Sequence, residues 1–220
     1  MENKNAEVTN IEPFMRSDQY NFIKLQVKNI IHAHATVKDK DVIHAVKYNS
    51  LQKVLDLFPE ANEDEQALLE KIVELEKDIE AERFLNELIP YVIPFENVTE
   101  KTIMKLFPKA KKLKLPPLDE IDFKDISYLG WYDIRSEKKY LIANYRGKLT
   151  GIHGTFKPSV KGICTLCNSY EEVGLFMANI KTGRETNISR GNYICRDSQM
   201  CNENIVSLDK LNSFVELLKN

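Results

Sequence analysis

Cys164-Thr-Leu-Cys167 and Cys195-Arg-Asp-Ser-Gln-Met-Cys201 contain all four cysteines of the chain, set as two close pairs with a long insert between them. Such pairing is the grammar of a metal site. Zn²⁺ takes four soft ligands at tetrahedral corners, and a two-residue gap lets one tight turn aim two thiolates at one ion. Gly162, just ahead of the first pair, is expected to give that turn its conformational freedom. The second pair is spaced by five residues, wider than the usual two to four. Two disulfides or four unrelated buried thiols are the competing accounts, because an unliganded cysteine packs as a small hydrophobe. A four-thiolate shell leaves no open position for water, so the zinc expected here is structural rather than a Lewis-acid catalyst.

Outward from the cysteines the apolar period is two. Residues 126–131, 139–145 and 149–156 read as three strands, with Arg146-Gly147 turning the hairpin between the last two. Residues 175–180 and 192–195 give a second hairpin with a polar tip at 181–185. From 204 to 218, Ile205, Leu208, Leu211, Phe214, Val215 and Leu218 share one helical face. A knuckle, a hairpin and a terminal helix whose start carries the second ligand pair describe a treble-clef-like zinc finger. In so small a unit, metal binding contributes on the order of 10 kcal/mol to folding.

The N-terminal half has a different rhythm. Ser17-Asp18 can cap a first helix to about Thr36, with Phe22, Leu25, Val27, Ile30 and Ile31 at helical spacing. A second runs from about Asp39 to Phe58, through Val42, Ala45, Val46, Leu51, Val54 and Leu55, and Pro59 stops it. A third begins at Asn62 and continues through Leu68, Leu69, Ile72 and Leu75. A fourth spans about Asp78 to Tyr91 with Ile79, Phe84, Leu85, Leu88 and Ile89. No Gly or Pro separates the third from the fourth, so period alone leaves their continuity open. The fold class expected is therefore α+β: an N-terminal four-helix bundle over residues 1–97, then a C-terminal α/β domain over 98–220 containing the four-cysteine finger.

Charge divides the chain at the same place. Of its 220 residues, 1–98 carry 11 basic and 19 acidic side chains, a balance of −8, whereas 99–220 carry 20 and 14, a balance of +6. With a short helix through Ile103, Leu106 and Phe107, the lysines Lys105, Lys109, Lys111, Lys112 and Lys114 make either a solvated basic face or a surface for an acidic partner or RNA. His32, His34 and His44 lack a partner at ligand spacing and read as ordinary histidines, as does His153. There is no Gly-rich phosphate loop, nucleophile elbow or His-Glu-x-x-His, so no enzyme is expected. The first residues carry no basic and apolar leader, and no apolar span is long enough for a membrane. A cytoplasmic protein is the expectation.

Residues 91–95 (Tyr-Val-Ile-Pro-Phe), 109–116 (Lys-Ala-Lys-Lys-Leu-Lys-Leu-Pro), 127–131 (Ser-Tyr-Leu-Gly-Trp), 161–168 (Lys-Gly-Ile-Cys-Thr-Leu-Cys-Asn) and 191–198 (Gly-Asn-Tyr-Ile-Cys-Arg-Asp-Ser) resemble the FusB-type fusidic acid resistance family, the bacterial elongation-factor-G-binding proteins. Cys201-Asn202 completes the match, and Gln19–Lys24 fits the family's first helix. The resemblance implies a helical bundle joined to a treble-clef zinc domain with Cys164, Cys167, Cys195 and Cys201 as ligands. It implies that the chain binds the C-terminal domains of elongation factor G and frees the factor from ribosomes that fusidic acid has stalled, touching the ribosome only indirectly. Partner contact would fall on Ile163, Arg190, Tyr193 and Phe214, with Arg190 and Tyr193 side by side. The family commonly has an aromatic where Ile163 stands and a lysine where Arg190 stands. The alternative is a zinc-finger module that binds ribosomal or transfer RNA through the lysine run; direct nucleic-acid contact is the less favoured reading.

Overall fold

The structure, a computed structural model, describes residues 11–110, 113–181 and 187–219. They group into two compact units: one runs up to Met15 and again from Phe22 to Ile93, the other takes Arg16–Asn21 and the chain from Pro94 onward. That Arg16–Asn21 groups with the second unit was not expected from sequence.

Helix α1 runs from Ser17 to Thr36, and from Phe22 onward it belongs to the first unit, where α2 (Lys40–Leu55), α3 (Glu63–Glu70) and α4 (Asp78–Leu88) follow in order. Asp39 caps α2 by accepting from the amides of Asp41 and Val42. Asn62 and Glu65 close a reciprocal capping box on α3. Helices α3 and α4 are separate: α3 tightens into a 3₁₀ turn (Lys71–Glu74), Leu75 is extended, and the Glu80 carboxylate accepts the amides of Glu76 and Lys77. The break is thus made by a buried leucine and a carboxylate cap. Ile23, Val27, Ile30, Val54, Leu69, Ile72 and Leu88 form the core, but Leu25, Val42, Ile79 and Ile89 are exposed, so the buried stripe is narrower than the apolar pattern suggested. The chain enters and leaves beside itself: Ile93 donates to the Met15 carbonyl at 2.8 Å, and Phe14 to that of Tyr91 at 3.0 Å.

The second unit is built on one five-stranded antiparallel meander, β1 (Tyr128–Asp133), β2 (Lys138–Tyr145), β3 (Lys148–Ile163), β4 (Tyr170–Lys181) and β5 (Asn187–Cys195), in sequence order. Arg146 and Gly147 have φ of 53° and 72°, the double positive-φ turn whose twist matches a hairpin. In β2, Lys139 to Ala143 are all buried, because both sheet faces are covered. One face carries Leu141, Ala143, Phe156, Phe176 and Ile194 against Phe214, Val215 and the four cysteines. The other carries Leu129, Tyr140 and Ile142 against Val98, Ile103 and Phe107, from and near α5 (Glu100–Leu106).

Two corrections concern the elements that carry the cysteines. Strand β3 does not end at Phe156 but continues, past an irregularity between Pro158 and Lys161, to Ile163. The expected single terminal helix is two, α6 (Ser198–Asn204) and α7 (Asp209–Lys219), with Ile205 extended between them. Only the short α6 carries Cys201.

Candidate metal centre and partner surface

The knuckle forms where β3 delivers Cys164. Its amide donates to the Ser169 carbonyl at 3.0 Å and its carbonyl accepts the Asn168 amide at 2.9 Å. The residue in the left-handed region is Asn168, φ 62°, a conformation asparagine tolerates. Gly162, expected to supply that freedom, is instead an ordinary strand residue paired with Glu171. The Thr165 amide ties the knuckle to the Tyr193 carbonyl of β5 at 2.9 Å, so strand and knuckle fix each other.

Cys195 closes β5, and Cys201 sits in α6, whose N-cap Asp197 accepts from the amides of Gln199 and Met200. Asn202, buried beside Cys201, anchors that helix to β1. Its Oδ1 accepts the Ser127 and Tyr128 amides at 2.8 and 3.1 Å, and its Nδ2 donates to the Tyr128 carbonyl at 2.9 Å.

The four sulfurs lie within 4.8 Å of one another and all four cysteines are buried. Cys164 Sγ is 3.8 Å from Cys201 Sγ, and Cys167 Sγ is 3.7 Å from Cys195 Sγ. A disulfide needs about 2.05 Å. By contrast, ligands about 2.3 Å from one tetrahedral ion stand about 3.8 Å apart along each edge. The amides of Leu166 and Cys195 both donate to Cys164 Sγ at 3.3 Å, as suits a thiolate. Sharing protons at this range splits the set: hydrogen bonds from Cys167, Cys195 and Cys201 hold the Cys164 thiol far below its usual range, while contact with Cys164 pushes Cys195 and Cys201 up. The donor set and spacing fit a tetrahedral zinc ion, and it is the one group of three or more metal-capable side chains among the described residues.

Lys139 had no signal in the sequence reading. Fully buried, it donates from Nζ to the Arg196 carbonyl at 2.8 Å and to Ser198 Oγ at 2.9 Å. Burial pulls its ammonium down to about 8, opposed by the charges of Cys201, Cys195, Asp197 and Cys164.

The residues expected to meet a partner are dispersed. Ile163 and Tyr193 are 57% and 43% exposed, at the knuckle end of the sheet. Arg190 is half-buried and donates from Nη1 to the Leu217 carbonyl of α7 at 2.9 Å. Arg190 pairs with Ala178 and Tyr193 with Leu175, three residues apart on one strand. They therefore occupy opposite faces of β5 and are not side by side. Phe214 is only 2% exposed and packs on Phe176, centroids 5.7 Å apart. Tyr170, 64% exposed and directly across from Ile163, lies where β4 begins, five residues ahead of the strand that the apolar pattern predicts at 175–180.

Comparison with known proteins draws these features together. Residues 14–96 match the family model described as elongation factor G-binding protein, N-terminal, and residues 105–215 match the FBP C-terminal treble-clef zinc-finger model. The solved structure of the fusidic acid resistance protein FusC is similar over 96% of this chain and 100% of its own, with 32% identity and a TM-score of 0.84. The curated proteins searched contain no significant match. Among the described residues, no helix is long and apolar enough to cross a membrane. Helices matched by the one model and a four-thiol finger matched by the other, with the likeness to FusC along 96% of the chain, place the chain in the family of elongation factor G-binding proteins.

Proposed function

We propose that the protein binds elongation factor G in the cytoplasm and releases it from ribosomes stalled by fusidic acid, without covalent chemistry. The full-length likeness to FusC, continuous through both units, carries this reading. Release needs only that the protein bind more tightly to the form of the factor that leaves the ribosome than to the form that stays.

In this reading Cys164, Cys167, Cys195 and Cys201 hold one structural zinc, which joins the knuckle, the end of β5 and α6. Thus supported, Ile163 and Tyr193 face the C-terminal domains of the factor as preorganised contacts, an arrangement that lowers the entropy cost of binding. Tyr170, across from Ile163, supplies apolar area where an aliphatic replaces the family's common aromatic. Arg190 contributes from the opposite face of β5, and Phe214 acts from beneath, by holding Phe176 and the sheet in place.

The test is co-elution with purified elongation factor G on gel filtration, followed by calorimetry and by release of the factor from fusidic-acid-stalled ribosomes on sedimentation. Tyr193→Ala should cost about 2 kcal/mol, or about 30-fold in affinity, with zinc content unchanged. Arg190→Ala should weaken binding less, because its guanidinium is already engaged by Leu217. Failure of the parent to bind the factor at all would sink the proposal.

A further inference from the structure

The second unit contains a cavity of about 610 Å³ whose lining includes Lys109, Lys114, Arg135 and Lys138. The cations come from two places that folding brings together: the segment after α5, and the β1–β2 turn with the first residue of β2. Its floor includes Tyr140, which is stacked on Trp131 (5.1 Å between centroids, 12° between planes) and on His153 (5.8 Å, 15°), with Phe107 edge-on to all three. The Trp131 indole N–H donates to the Lys114 carbonyl at 2.9 Å, fixing that lysine's backbone against the rings.

One carboxylate, Asp133, lines the same cavity, and it is occupied locally. It accepts the Ser136 hydroxyl at 2.7 Å and the Arg135 amide at 3.2 Å. The Ser136 hydrogen bond holds its carboxyl below the usual range, so it stays ionised and offsets one of the four cations. Among the described residues, no ion pair involves Lys109, Lys114, Arg135 or Lys138. The cavity therefore carries a surplus of about three positive charges, which no local acid neutralises and which raises the local concentration of a polyanion.

We propose that this cavity binds the phosphate backbone of single-stranded RNA, a second surface that does not depend on the factor-binding reading. Three of the four cations are lysine ammoniums, which act as separate point charges on flexible stems. Backbone amides nearby are already spent, Ala110 on Phe107, Arg135 on Asp133 and Glu137 on Ile134. Those three amides are not available to one small anion, whereas successive phosphates can each meet a cation. The exposed ring of His153, stacked on the cavity residue Tyr140, suits an unstacked base, which RNA presents and an acidic protein helix does not.

The experiment is fluorescence anisotropy of a short labelled single-stranded RNA against the full-length, zinc-loaded protein. With about three phosphates engaged, log affinity should fall with log salt at a slope of about −2, a loss of about 15- to 20-fold between about 50 and 200 mM. Each single Lys114→Ala or Arg135→Ala change should reduce the slope by about 0.7, and the four-fold alanine variant should lose binding. Should that variant fail to fold, judged by zinc content and circular dichroism, the turn pair Arg135→Ala with Lys138→Ala makes the same comparison. RNA binding that is absent at low salt, or unaltered in these variants, overturns the proposal. So does full competition by millimolar inorganic phosphate, which would mean a free-anion site, or equally tight and equally variant-sensitive binding of poly-aspartate, which would mean an acidic protein partner.

Discussion

Asn202→Ala isolates the joint between the thiol centre and the sheet. The amide makes three bonds to β1 and the residue before it: two accepted, from Ser127 and Tyr128, and one donated to the Tyr128 carbonyl. A fourth bond, to the Ser198 carbonyl, lies within α6 and is discounted, because that carbonyl already belongs to the helix ladder. At about 1 kcal/mol net for each of three bonds in a buried site, the loss is about 3 kcal/mol, more if a buried amide is left without water. The removed side chain is small, so a cavity adds little. Trp131 is the chain's sole tryptophan and lies on β1, so its emission reports on this unit. With a urea dependence of about 2 kcal/mol/M, the Trp131 transition should move down by about 1.5 M. Asn202→Asp should be at least as harmful, since it sets an acceptor against the Tyr128 and Ser198 carbonyls. A shift below about 0.3 M in Asn202→Ala would refute the reasoning, because it would mean the three bonds are replaced at no cost.

Three further outcomes can be checked with the same protein. Cys195→Ser should remove stoichiometric zinc by elemental analysis and broaden the Trp131 transition, while helical circular dichroism from the first unit persists. His153 is held below its ordinary value by burial and by Lys138, so its stabilising contribution is complete above about pH 7.5 and is lost as pH falls through 6.5 toward its folded value. The parent should accordingly lose more of its urea midpoint than His153→Gln between about pH 7.5 and 5.5, and equal losses would exclude the histidine. Phe214→Ala should open a cavity against Phe176 and cost about 3–5 kcal/mol of stability, visible by denaturation before any effect on partner binding.

Much of this was legible because some local signals admit few solutions. Two cysteine pairs, with no cysteine elsewhere, imposed convergence of their elements whatever the intervening path. Arg146-Gly147 announced its turn because few dipeptides adopt two positive φ values cheaply. The α3–α4 break was illegible since it uses a 3₁₀ turn and the Glu80 cap in place of Gly or Pro. The division between α6 and α7 hid for a similar reason, as Ile205 and Leu208 continue the apolar period across it. Lys157 to Lys161 are exposed strand residues, without the alternation that reveals a half-buried strand. The pairing of Lys114 with Lys138 depends on the stack of Trp131 and Tyr140, a tertiary fact that no local period encodes. Lys111 and Lys112, part of the same expected run, lie outside the described residues.

Lys139 bears on the state of the thiols independently of their spacing. An ammonium with no exposed surface loses its hydration, and two neutral acceptors, the Arg196 carbonyl and Ser198 Oγ, only partly replace it. The face of the Phe156 ring, 5.3 Å from Nζ, and negative charge nearby supply the rest. The groups that favour its charged form are Cys201, Cys195, Cys164 and the carboxylate of Asp197. Four neutral thiols would give the lysine almost nothing. Four thiolates without a cation would repel one another across distances of 3.7 and 3.8 Å. Both difficulties vanish together if a divalent ion holds the sulfurs ionised, because four thiolates around a dication leave a net charge of about −2 for Lys139 to meet. A buried lysine near the start of β2 is thus intelligible beside a loaded centre and costly beside an empty one. That difference ties the sheet's own stability to metal binding.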